Sequence, residues 1–177
     1  EQVQNLSLLG KLNRLAGIDY PDDQNLRARI KSYELAFQMQ SSVPETLQLE
    51  KETEATRQLY GMDRSETKTF GEQCLVARRL AERGVRFVEL IDTGASNNWD
   101  SHGDMAAHGP LAKNVDQPIA GLLKDLKVRG MLEDTLVVWT TEFGRTPFNT
   151  GKNAKGREHH AEVFTSWLAG GGVKAGF

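Results

Sequence analysis

The chain has 177 residues, of which 38% are hydrophobic and 26% are charged, a composition typical of a globular protein. A formal net charge of -2 and a pI near 6.1 exclude an overall positive field that would attract nucleic acid. The single cysteine, Cys74, excludes an intrachain disulfide and the thiolate clusters of zinc fingers and iron-sulfur centres. No stretch approaches the roughly 20 consecutive apolar residues of a membrane-spanning helix, so none is predicted.

The first sixty residues carry a helical pattern. Leucines recur at helical spacing from Leu6 to Leu15, and a second apolar stripe runs from Ile30 to Phe37. A capping-box spacing around Pro44 predicts that a further helix starts there. We expect the segment 1–64 to form a helical layer that packs on a sheet made by the rest of the chain.

From residue 65 onward, helices and strands are predicted in alternation. The predicted elements are helices over 69–83 and 118–129 and strands over 85–91, 136–139 and 163–169. Because strands separated by helices join through right-handed crossovers, this order predicts an α/β part over residues 65–177, with a mostly parallel sheet flanked by helices. Exposed sheet edges can pair with a second copy, so a homodimer through these edges is a further expectation.

All four histidines lie in loops that follow predicted strands, and none lies in the helical first half. In an open α/β sheet, functional residues gather at the carboxyl ends of the strands. We therefore expect Asp100, His102, Glu142 and His159 to meet in one crevice. His108, which precedes a Gly-Pro pair, is more typical of a surface position than of this site.

These residue types are those of a metal site. Asp100 and His102 are two positions apart, so in an extended segment both project to the same face. His159 and His160 point apart on an extended chain, so only one is a ligand, and His159 is our choice. Nitrogen and carboxylate ligands favour zinc or manganese over calcium or magnesium. The alternative is that the Asp-x-His pair is simply solvated, but the grouping of the histidines favours a metal.

Two arginines, Arg145 and Arg157, flank the expected site. A guanidinium can donate two hydrogen bonds to the oxygens of a phosphate or sulfate group, which makes both arginines candidates for substrate binding. The alternative is an ion pair with Glu142 or another nearby carboxylate. Neither Ser96 nor Ser101 lies in a nucleophile motif, so the sequence does not identify a catalytic nucleophile.

Four blocks in this order resemble a known group of proteins. The blocks are WDSHG at 99–103, GMLEDTLVVW at 130–139, EFGRTP at 142–147 and GREHH at 156–160. They resemble uncharacterised sulfatase-like proteins of bacteria, a domain of unknown function related to the alkaline-phosphatase superfamily. The family's Asp-His pair reads Glu142-Phe143 here, and Glu158 takes the place of an aspartate.

The resemblance implies a site of one or two divalent metals that acts on phosphate or sulfate esters. It also implies that this chain is the carboxyl-side part of a longer protein, with the nucleophile upstream of Glu1 and a periplasmic or extracellular location. On that basis the chain by itself is expected to be inactive.

The expected function is therefore that of part of a metal-dependent hydrolase for phosphate or sulfate esters, with a small-molecule or carbohydrate ester as substrate. The alternative is a catalytically silent module that binds a carbohydrate or an anionic ligand in the same crevice. No nucleic-acid partner is expected.

Overall fold

The computed structural model describes residues 8, 10–15, 23–92, 98–174 and 176. The chain divides into two compact units, residues 1–48 and residues 49–177. About half of it is helical. All the side chains predicted to form the functional site belong to the second unit.

The first unit contains helix α1, Gln24–Thr46, and residues 10–15 are also helical. Asp23 precedes α1, and its side chain accepts a hydrogen bond of 2.9 Å from the backbone N–H of Leu26, as a capping residue does. Pro44 lies inside α1 rather than at the start of a new helix, so that prediction is wrong. In the last turn, the lost N–H of proline costs the helix only one hydrogen bond. The packing of the helical segment 1–64 on a sheet stays a prediction.

The described part of the second unit, residues 49–92, 98–174 and 176, combines three helices with four short strands. The helices are α2, Glu54–Leu59, α3, Ser65–Glu82, and α4, His108–Val128. The strands are β1, Leu136–Trp139, β2, Gly144–Arg145, β3, His159–His160, and β4, Trp167–Gly170. Short 3-10 turns cover Leu49–Lys51 and Met105–Ala107.

The predicted mostly parallel sheet is wrong. β1 pairs with β4 and β2 pairs with β3, and both pairs are antiparallel. Parallel neighbours need a long crossover, usually a helix, but residues 140–166 contain only β2, β3 and loops. The segment 85–91, predicted as a strand, belongs to neither sheet, and its Phe87 is 81% exposed. A homodimer through the sheet edges stays a prediction.

Helix α4 starts ten residues earlier than predicted. Pro118, which was expected in the first helical turn, lies in the middle of the helix and is fully buried. The neighbouring Val115 is buried as well. Burial of this face offsets the loss of the hydrogen bond that a proline removes from a helix interior. For this reason Pro118 did not mark the first turn of α4.

The core of the second unit lies between α3 and α4. It is built on Tyr60, Met62, Cys74 and Leu75. Gly71 and Gly121 face the backbone of residues 59–60, and a Cβ at Gly121 would be 2.5 Å from the carbonyl oxygen of Leu59. Cys74 is a core residue, and burial raises the pKa of its thiol to about 12.

A buried ionic network joins the two helices. The guanidinium of Arg78, only 3% exposed, lies 2.8 Å from Glu52, 2.6 Å from Glu82 and 3.0 Å from Asp125. Tyr60 donates a hydrogen bond of 2.9 Å to Asp125. Burial, followed by the charge of Asp125, raises the pKa of the Tyr60 hydroxyl above its usual range, so it remains a donor. Three carboxylates therefore surround the buried guanidinium of Arg78, and the hydroxyl of Tyr60 bonds to one of them.

No helix among the described residues is both long and apolar enough to cross a lipid bilayer.

We predict that Asp125→Ala lowers the free energy of unfolding by about 3–5 kcal/mol, because it leaves the buried Arg78 without one of its carboxylates. Urea unfolding followed by circular dichroism measures this loss. Glu72→Ala is the control on α3, since Glu72 forms only an exposed pair with Lys68 at 4.0 Å, and it should change stability by less than about 0.5 kcal/mol. Equal effects of the two substitutions would contradict a structural role for the network.

Candidate metal centre

Two loops bring three predicted ligands together. Asp100 and His102 come from the segment before α4, and His159 is the first residue of β3. Asp100, His102 and His159 each offer one ligand atom, and these atoms all lie within 4.8 Å of one another. Ser101 between the first two is buried, while Asp100 and His102 face outward. The alternation is the one expected for an extended Asp-x-His segment.

The three donor atoms form a compact triangle. Nε2 of His102 and Nε2 of His159 are 3.2 Å apart, and they lie 3.0 Å and 2.9 Å from Oδ1 of Asp100. Ligands bound to one tetrahedral zinc at about 2.0–2.2 Å are separated by about 3.3 Å. The spacing of the three atoms therefore suits ligands of one such ion.

The three side chains are 43%, 53% and 44% exposed for His102, Asp100 and His159. An ion held by these three residues would therefore be accessible to water, as in catalytic zinc sites and unlike closed structural ones.

Glu158 fixes the proton on His102. Its Oε2 lies 3.0 Å from Nδ1 of His102. An ionised carboxylate only accepts hydrogen bonds, so Nδ1 carries the proton and donates it. In the neutral imidazole, Nε2 is then left with a free electron pair directed at the cluster. The sequence did not predict this role for Glu158. Its position next to His159 was the one signal that it could lie close to the other ligands.

The pairing of β2 with β3 places Arg145 and Phe143 beside the ligands. Arg145 lies opposite His159 in the antiparallel register, so both side chains project to one face. Arg145 donates to the same Oδ1 of Asp100. Phe143, two residues before Arg145, packs on the ring of His159 with 4.3 Å between centroids. The two strands thus provide a cation and an apolar wall.

The hydrogen bond from His159, followed by that from Arg145, lowers the pKa of Asp100 well below its usual range. The carboxylate is therefore ionised at neutral pH and available to a cation.

The other predicted site residues lie around this cluster rather than in it. Glu142 accepts a hydrogen bond of 2.7 Å from the hydroxyl of Thr141, which is the main cause of its lowered pKa, and its carboxylate is outside the group of ligand atoms. The side chain of Arg157 is exposed and has no hydrogen bond or ion pair within the described part of the chain. His108 lies 2.9 Å from the carbonyl oxygen of Trp99, so it contacts the loop and not the cluster.

Gly156 sets the distance between the two loops. The N–H groups of Lys155 and Arg157 donate to the carbonyls of Gly103 and Ser101 at 2.9 and 3.2 Å. A Cβ at Gly156 would overlap the carbonyls of Ser101 and His102. Only glycine therefore allows the two backbones to approach closely enough for His159 to reach Asp100.

Comparison with known proteins gives one match. The whole chain, residues 1–177, matches the family model described as protein of unknown function (DUF1501). The chain belongs to the DUF1501 family. No curated protein and no solved structure matches it.

Membership of the DUF1501 family corrects the resemblance drawn from the four sequence blocks. Nothing links the chain to the sulfatase and alkaline-phosphatase superfamily, so that assignment is wrong. The blocks are short and rich in glycine, arginine and histidine, and their Glu142-Phe143 pair already departed from the Asp-His pattern. The upstream nucleophile and the exported parent lose the support of that resemblance.

We predict that Gly156→Ala separates the two loops and lowers the free energy of unfolding by about 1–3 kcal/mol, because the added methyl group meets backbone atoms that cannot rotate away. Thermal unfolding measures the loss, and a smaller nuclear Overhauser effect between the rings of His102 and His159 measures the separation. Gly103→Ala is the matched control in the same site, since a Cβ there meets nothing within 4 Å. An unchanged ring-to-ring signal in Gly156→Ala would contradict this account.

Proposed function

We propose that this chain carries a divalent metal centre, with zinc or manganese held by Asp100, His102 and His159, and that this centre serves the hydrolysis of a phosphate or sulfate ester. The triangle of donor atoms, with sides of 2.9–3.2 Å, carries the proposal. Two imidazole nitrogens and one carboxylate are a ligand set typical of zinc hydrolases.

The surrounding residues support a catalytic rather than a structural metal. The carboxylate of Glu158 holds His102 in the tautomer that leaves Nε2 free, in the way that outer carboxylates orient metal-binding histidines. The ligands are about half exposed, so water and substrate have access. A divalent ion bound here would polarise an ester oxygen and make water acidic enough to attack at neutral pH.

Two arginines supply a positive field for an oxyanion. Arg145 already donates to Asp100, so its charge is largely neutralised by that carboxylate. Arg157 has an exposed guanidinium, and it lies two residues before His159, on the same side of an extended segment. We assign Arg157 as the main contact of the substrate phosphate or sulfate group.

We predict that the chelator-treated protein binds one zinc or manganese ion, and that His102→Ala or His159→Ala lowers the affinity more than about 100-fold by removing a ligand. Isothermal titration calorimetry measures the affinity. His160→Gln is the matched control, because it changes the adjacent histidine on the opposite face of β3. Affinity should also fall on acidification, since protons compete with the metal for both imidazoles.

Arg157→Ala separates metal binding from oxyanion binding in the same assay. It should leave metal affinity unchanged and weaken the binding of inorganic phosphate to the metal-loaded protein. Retention of full metal affinity in both His102→Ala and His159→Ala would overturn the metal centre, whereas unchanged phosphate binding in Arg157→Ala would overturn only the role of that arginine.

We predict a loss of about 10–100-fold in metal affinity for Glu158→Gln, because an amide no longer enforces the proton on Nδ1 of His102. Nitrogen-15 NMR of the metal-free protein should report an increased population of the tautomer protonated at Nε2. Glu162→Gln, an exposed change three residues beyond His159, is the control and should alter neither value. An unchanged tautomer ratio in Glu158→Gln would contradict the assigned role.

A further inference from the structure

All three tryptophans of the chain meet in one open cleft beside the metal centre. Trp99, Trp139 and Trp167 line a cavity of about 540 Å³ together with one face of α4. That volume lies within the range of small-molecule sites, about 300–1,000 Å³. The cleft is distinct from the donor-atom cluster, since none of the proposed ligands lines it.

The aromatic rings have a fixed arrangement. Trp139 and Trp167 are cross-strand partners in the sheet of β1 and β4, and their rings are stacked, with 6.4 Å between centroids and an angle of 5°. Trp99 meets Trp139 edge-on at 85°. The indole N–H of Trp99 donates to Asp92 at 2.8 Å, which holds that ring in place. The cleft thus offers rigid aromatic walls in two orientations.

Polar groups accompany the rings. Lys113 and Asp116 lie on the same face of α4, three residues apart, and both line the cavity. Neither side chain forms an ion pair or a hydrogen bond with another described residue. The indole N–H groups of Trp139 and Trp167 also have no hydrogen-bond partner among the described residues. The cleft therefore presents several donors and one carboxylate acceptor around an apolar floor.

This combination points to one kind of ligand. We propose that the cleft binds the ring of a neutral saccharide. A pyranose ring has C–H groups on its faces, which pack on tryptophan, and hydroxyls at its edge, which both donate and accept hydrogen bonds. A purely hydrophobic ligand would pack on the rings but could not form hydrogen bonds with Lys113 or Asp116.

The cleft and the metal centre share a stretch of backbone. Trp99 directly precedes Asp100, and its carbonyl oxygen accepts a hydrogen bond from Arg145 at 3.5 Å. The cleft and the candidate ligands therefore begin at adjacent residues, while their lining side chains are separate. The saccharide site does not rest on the proposed metal centre.

The experiment uses tryptophan fluorescence of the metal-free protein, because every tryptophan in the chain lies at this cleft. The probes are trisaccharides of glucose, galactose, mannose, xylose and N-acetylglucosamine, titrated in the presence of chelator. At least one should give a saturable change with a dissociation constant of about 0.1–10 mM, an affinity typical of a shallow site.

Variants then locate the binding. Trp167→Ala should abolish the response. Lys113→Met and Asp116→Asn, which alter only exposed side chains, should weaken it about three- to tenfold, and Lys127→Met on the same helix should not. The absence of saturable binding by all five sugars would overturn the proposal, as would equal binding in the Lys113 and Asp116 variants. A concentration-dependent emission that follows self-association in the ultracentrifuge would identify the cleft as an interface between copies instead.

Because the titration contains no metal, its result is independent of the proposed hydrolytic centre. Sugar binding without any metal binding would leave a carbohydrate module and overturn the centre alone, whereas metal binding without sugar binding would overturn the saccharide site alone.

Discussion

The close contact at Gly156 is the constraint on which the candidate site depends. Residues 155–157 and 101–103 lie side by side because a position without a side chain lets the backbone pack against two carbonyl groups. This contact joins parts of the chain that are more than fifty residues apart. It also explains why two side chains from the segment before α4 and one from the short strand β3 can approach within hydrogen-bonding distance of each other. Because little regular structure surrounds these residues, such backbone contacts fix their positions.

The helices act on the site indirectly. The network around Arg78 and Asp125 fixes α3 against α4, and the loop that carries Asp100 and His102 leads into the start of α4. At the other end of α4, the chain turns into β1, whose partner β4 contributes Trp167 to the aromatic cleft. The ionic network and the sheet of β1 and β4 thus hold the two ends of α4 and provide no metal ligand, whereas the sheet of β2 and β3 carries His159.

The grouping of the candidate ligands was more predictable from the sequence than the sheet was. Asp100, His102 and His159 could be expected to lie together because few residue types bind metals and because the two ends of an extended Asp-x-His segment project to the same face. The pairing of strands in the sheet could not be predicted from the local sequence pattern. Residues 85–91 alternate as a strand does, but a strand exists only with a partner, and partners are set by contacts far away in the chain. Pro118 misled for a similar reason, since burial of its face of α4 outweighed its local preference. Glu158 lies in no motif of its own that marks a partner of His102. Its contact with Nδ1 of His102 depends on a distance that only the structure gives.

One oxygen atom, Oδ1 of Asp100, accepts several of the polar contacts of the site. Oδ1 of Asp100 receives both His159 and Arg145, yet a carboxylate oxygen has only two lone pairs. A cation that binds Nε2 of His159 would replace the proton of that hydrogen bond, so Arg145 can remain on Asp100 beside the cation. The two positive charges would then repel each other, and an oxyanion that lies between them would reduce the repulsion. Thermodynamic reciprocity requires that the oxyanion and the cation favour each other by the same factor. Cation and oxyanion would bind cooperatively, so that neither alone would reach the affinity it has in the presence of the other.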